Sequence, residues 1–157
     1  MTPTEQFIHT LEGLKPGDMG RLRQHAGLPL DESLAGFDLF AGLWWPLRQK
    51  NQRAPRREVA WLIAKLYAFH PMPQSPNAAV AVLLGQINPA DTRRQSKFDE
   101  LLTRPLNQIE TAMQWALAVV AEIGKGIDWV RLTDDLSAWE REATRLKWAR
   151  QYLRLDP

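Results

Sequence analysis

Five cations, Arg48, Lys50, Arg53, Arg56 and Arg57, fall within ten residues that hold no carboxylate. Gln49, Asn51 and Gln52 lie among them, and side-chain amides donate hydrogen bonds to phosphate oxygens as arginines do. Such a segment suits a nucleic-acid backbone, and its plainer reading is a loop kept soluble by its charges. A second group, Arg93, Arg94 and Lys97 with Arg104 beyond, is diluted by Asp91, Asp99 and Glu100. The third is the C-terminal run Arg141, Arg145, Lys147, Arg150 and Arg154. On a helix, Lys147, Arg150 and Arg154 fall within about 60° of one another. Arg141 and Arg145 turn toward Trp148 and Tyr152, where their stems can cover apolar surface. The outer triad is therefore the better phosphate candidate, although a solvated helix carries the same pattern. Arg21 and Arg23 form a smaller pair that cannot share one line on a helix but can flank a groove.

Other chemistries find little support. The chain has no cysteine, which removes disulfides, thiolate nucleophiles and cysteine-ligated metals. His25 and His70 have no histidine or carboxylate at a three- or four-residue spacing, and His9, with Glu5 and Glu12 at such spacings, has no second histidine there, so each reads as structural or surface. Asp99-Glu100 and Asp134-Asp135 are adjacent and point apart on a helix. Gly13, Gly17 and Gly20 lack the strand before and the lysine-serine/threonine close of a phosphate loop. No catalytic residue, metal or cofactor is expected, and a metal-dependent hydrolase assembled by tertiary contacts is the one enzyme reading left.

The elements that must carry these charges read as helices. Phe7, Ile8, Leu11 and Leu14 form a first stripe from about Pro3, and Lys15-Pro16-Gly17 breaks it. Asp18 is expected to cap a short helix, with Leu28 to Gly36 a loop and an apolar helix over Phe37 to Trp45 ending before Pro46. Val59, Leu62, Ile63, Leu66 and Phe69 mark the next helix, and Pro71 and Pro73 end it. Ser75-Pro76 reads as a cap leading into Ala79 to Ile87, and Asn88-Pro89 as the start of a polar connection. Ser96 reads as the cap of a short turn containing Phe98, Leu101 and Leu102. Pro105 opens the longest stripe, Leu106, Ile109, Met113, Leu117 and Val120. Asp128 caps a helix through Leu132, Leu136 and Trp139, and the last helix runs from about Glu140 to Leu155. Of seven tryptophans, Trp61, Trp115, Trp129, Trp139 and Trp148 sit in helical patterns and read as core. Trp44 and Trp45 cannot both point inward, so one is left for a base or a subunit interface.

These elements make an all-α single domain over 1–157, of ordinary globular composition at 45% apolar and 24% charged residues. The net charge of +2 says little about partners, because only its placement does. With no signal-peptide pattern and no apolar run near the length of a membrane span, a cytoplasmic protein with no membrane contact is expected. A helical, nucleic-acid-associated subunit fits better than a free enzyme.

Five stretches in order resemble the CasB family, the small subunit of the type I-E CRISPR surveillance complex Cascade. They are 13–18 (GLKPGD) with Arg21-Leu22-Arg23; the basic segment ahead of 58–68 (EVAWLIAKLYA); 97–102 (KFDELL) with Ile109; 126–132 (GIDWVRL) with Asp134-Asp135-Leu136; and 148–152 (WARQY). The resemblance implies eight or nine helices in two packed parts, taken here as 1–90 and 91–157. It implies two copies head to tail inside Cascade, beside other Cascade subunits, the guide RNA and the target DNA. There they would stabilise the R-loop, contacting the heteroduplex region and the displaced strand without cutting either. Residue by residue, Arg23 matches the family's N-terminal basic contact and Lys97 the basic position beside the central phenylalanine. Arg93 and Arg94 join that surface, and Arg145, Lys147 and Arg150 approximate a basic late helix. Ser96 is a departure, standing where some relatives carry an arginine. The alternatives are a pure scaffold subunit, whose cations meet protein neighbours, and a free helix-turn-helix DNA-binding protein.

Overall fold

The computed structural model describes residues 1–87 and 91–154. Among these the chain forms nine α-helices, two short 3₁₀ turns and a single isolated β-bridge, so the all-α expectation holds. The helices divide between two compact units, Met1–Pro71 and Met72–Pro157. That division falls at the proline pair 71/73.

The first unit contains α1 (Pro3–Glu12), α2 (Pro16–Gln24), α3 (Leu34–Lys50) and α4 (Arg57–Phe69). A full capping box starts α1, with Thr2 Oγ1 accepting from Glu5 N and the Glu5 carboxylate accepting from Thr2 N. Helix α4 is buried on every side from Val59 to Ala68, and α2 and α3 pack against it. A helix hydrophobic all round must lie inside its unit. Its one buried cation, Lys65, is 4% exposed, donates to Leu28 O at 2.9 Å and lies 5.3 Å from the Trp61 ring centre. The Trp61 indole N–H meets the same carbonyl, and this anchors the end of the 25–28 turn.

Two expectations here need correction. The stretch expected as loop up to Gly36 already contains a 3₁₀ turn (Leu30–Glu32) and the start of α3, because Ser33 Oγ accepts from Gly36 N and supplies a cap. And α3 does not stop at Pro46 but runs four residues further. The hydrogen bond that proline cannot make would have gone to Gly42 O. Both Gly42 and Pro46 are exposed, so the freed carbonyl faces solvent and the helix survives.

The second unit contains α5 (Val80–Gln86), α6 (Thr92–Thr103), α7 (Glu110–Ala121), α8 (Trp129–Ser137) and α9 (Glu142–Leu153). Gly85 lets α5 and α9 approach closely, since a Cβ built there would lie 2.1 Å from Tyr152 O. Asp128 caps α8 as expected, accepting from Arg131 N at 3.0 Å. Its carboxylate also accepts from Gln74 Nε2 at 2.9 Å and Asn77 N at 3.0 Å, which stitches the 74–78 turn to α8. Burial works to raise its pKa, but these hydrogen bonds and the Arg131 charge outweigh burial and hold the carboxyl below the usual range. The cap of α6 is Asp91 rather than Ser96, which makes that segment a three-turn helix and not a short turn. Asn88 and Pro89 lie outside the described residues, as does Leu155.

Candidate nucleic-acid interface

The fold sorts the expected cations into committed and uncommitted side chains, and each unit has both kinds. In the first unit, Arg21 pairs with Asp18 at 3.5 Å while both stay solvated, and Arg23 in the last turn of α2 is exposed. The Arg48–Arg57 segment is not one free loop. Arg48 and Lys50 close α3, and the chain then folds back so that Arg48 Nη1 donates to Ala54 O at 2.9 Å and Trp44 Nε1 to Pro55 O at 2.7 Å. Arg56 faces Glu58 at 3.9 Å, and Arg57 is half-buried at the start of α4. Lys50 and Arg53 remain exposed, with no carboxylate partner among the described residues.

In the second unit, α6 presents Arg93, Lys97, Glu100 and Arg104 along one side, at the i, i+4, i+7, i+11 spacing of a helix face. Arg93 and Lys97 are exposed. Arg104 is in ion-pair contact with Glu100. Arg94 turns the other way, is half-buried and donates to Ile87 O at 2.8 Å, so its first task is to close the connection before α6. Lys97 Nζ lies 5.7 Å from the centre of the Trp115 ring, and that ring is half-buried rather than core.

Helix α9 departs furthest from the triad expected on it. Lys147 donates to buried Asp135 at 2.5 Å, and Trp148 Nε1 donates to the same carboxylate at 2.8 Å. Arg154 adopts the left-handed conformation (φ 59°) at the end of the helix and donates to Gly85 O at 3.3 Å. Arg145 is half-buried, its Nε wholly inside. Only Arg150 of the triad is exposed without such a contact among the described residues.

His25 fits a structural role. His25 Nδ1 lies 2.7 Å from Arg21 O and Nε2 3.1 Å from Ser33 Oγ, with the ring edge-on to Trp61. Among the described residues no three histidine, aspartate or glutamate side chains are arranged to hold a metal ion. Nor is any helix long and apolar enough to cross a membrane.

This arrangement of nine helices in two units has known counterparts. The family of CRISPR-associated protein Cse2 matches residues 18–153. The chain belongs to the Cse2/CasB family, the small subunits of type I-E Cascade. A Cse2 of Thermus thermophilus is 31% identical over 109 residues, which are 68% of this chain and 62% of that relative's length. The crystal structure of a Cse2-family protein from the same organism superposes with a TM-score of 0.78 at 26% identity, covering 98% of this chain and 99% of that one. CasB of M. ruber gives a TM-score of 0.73 at 22% identity, covering 99% and 94%, a likeness of fold alone. The division of its cations into committed and exposed ones is a property of this Cse2 chain's own contacts.

Proposed function

We propose that this chain is a non-catalytic, nucleic-acid-binding subunit of a type I-E Cascade complex, stabilising the R-loop by holding the phosphates of the displaced DNA strand. The observation that carries the reading is the presence in both units of exposed cations with no carboxylate partner among the described residues. Among the cations expected to meet nucleic acid, these are Arg23, Lys50 and Arg53 in the first, and Arg93, Lys97 and Arg150 in the second. A side chain already satisfied inside the protein gains little from a phosphate, whereas one in water releases a counterion on binding. R-loop formation exchanges a DNA duplex for a heteroduplex of similar stability, so a few such contacts tip the balance. None of them reads a base edge, which suits a subunit whose complex takes its sequence from a guide. The guide RNA, the heteroduplex, the other Cascade subunits and a second copy of the chain are the proposed neighbours.

Crosslinking in the assembled complex tests this against a pure scaffold. Photoreactive groups placed at Arg93, Lys97 and Arg150 should label the displaced strand, and groups at Arg48 and Lys147 should not. Labelling confined to protein neighbours would make the chain a scaffold.

A further inference from the structure

Five of the seven tryptophans donate their indole N–H inside the fold: Trp44 to Pro55 O, Trp61 to Leu28 O, Trp129 to Met72 O, Trp139 to Arg104 O and Trp148 to Asp135. Trp45 and Trp115 have no acceptor among the described residues. Trp45 stands on an exposed helix face, but Trp115 lines an open groove of about 420 Å³, within the roughly 300–1,000 Å³ typical of small-ligand sites. One wall is α6 and its C-cap, which contribute Lys97, Glu100 and Arg104. The other is the stretch from the 3₁₀ turn Leu106–Gln108 into α7, where Gln108, Thr111 and Trp115 recur at helical spacing. The small side chain of Ala112 leaves room between them.

We propose that this groove takes one unstacked nucleobase of a single-stranded nucleic acid, with Trp115 as its stacking platform and Lys97 and Arg93 on the adjoining phosphates. The charges favour this arrangement over a buried phosphate. Glu100 sits in the groove and is already matched by Arg104, which leaves Lys97 as the uncompensated cation of the lining. A phosphate is therefore drawn to the Lys97 side, one helical turn from Arg93, and the neutral base goes inward. There Gln108 and Thr111 offer both donors and acceptors to its edge, and the Glu100 carboxylate can accept from an exocyclic amine. Duplex DNA is a poor occupant because its bases are already stacked. In the free protein the Lys97 ammonium lies over the indole, so a base that stacks there displaces it toward the phosphate.

This inference rests on the reading of the chain as a single-strand binder, and the test separates the two. Binding of the full chain is measured on oligothymidylate and on an abasic strand of the same length. Trp115→Ala should weaken oligothymidylate binding about five- to a hundredfold, the effect of one lost base stack, and leave the abasic strand unaffected. Trp115→Phe keeps a ring and should retain most of the affinity, while Lys97→Ala should weaken both strands and flatten the salt dependence. An unchanged affinity in Trp115→Ala, or an equal loss on both strands, would overturn the groove while leaving phosphate binding in place. Failure of the unaltered chain to bind either strand would overturn the underlying reading as well. Should Trp115→Ala fail to fold, bromodeoxyuridine photocrosslinking of the unaltered chain decides: adducts within α7 support the site, and adducts only elsewhere overturn it.

Discussion

Lys147 and Arg150 stand three positions apart on one helix and have opposite surroundings. Lys147 is tied to a carboxylate that is 7% exposed, and Arg150 lies in solvent. Their alanine variants should therefore separate stability from binding. Lys147→Ala leaves Asp135 with Trp148 as its one side-chain donor and should cost on the order of 1–2 kcal/mol in urea denaturation, discounted because the ammonium is partly solvated. Its affinity for single-stranded DNA should not change. Arg150→Ala should stay within about 0.5 kcal/mol of the parent stability, and its salt slope of binding should be shallower by about one unit. Asp128 gives a pH prediction of the same local kind. Its folded pKa lies below the ordinary value of about 3.9, so its contribution to stability is present above that value and is lost as the pH falls through the folded pKa. Acid titrations of unfolding should show this loss in the parent chain, and Asp128→Asn should remove that part of it. Sequence spacing could not have separated Lys147 from Arg150, since Asp135 is twelve positions away and belongs to another helix.

At the level of elements, what the sequence revealed depended on how local the cause was. The stripe of α4, the cap at Asp128 and the start of α1 are set by residues a few positions apart, and all three were readable. Two signals gave the wrong result because their context was tertiary or overlooked. Pro46 reads as a helix end, but the exposed carbonyl of Gly42 makes its missing bond cheap. Trp115 reads as core because it lies in a helical pattern, yet at 100° per residue it is about 200° from both Met113 and Leu117, opposite the buried stripe. That offset was available in the sequence and points to the groove. The contact of α5 with α9 is the reverse case, since nothing near Gly85 in sequence announces it. Gly85→Ala should force the two helices apart and cost about 1–3 kcal/mol, visible as a lower unfolding temperature with far-UV signal retained below it.

For the whole molecule, net charge was the least informative number and its distribution the most. A formal excess of two hides twenty basic residues, of which the fold spends many on carbonyls and carboxylates of its own. What is left over is exposed cations in each of two units, on a scaffold shared with a Cse2-family protein of Thermus thermophilus. The reading of this set as a hold on the displaced strand makes a single decisive demand on the assembled complex. Alanine at Arg23, Arg93, Lys97 and Arg150 together should leave assembly intact. R-loop lifetime on a matched target should then shorten, most at low salt, with loss of nuclease protection on the displaced strand. An unchanged lifetime and footprint across the salt range, in a complex that has incorporated the variant, would contradict it.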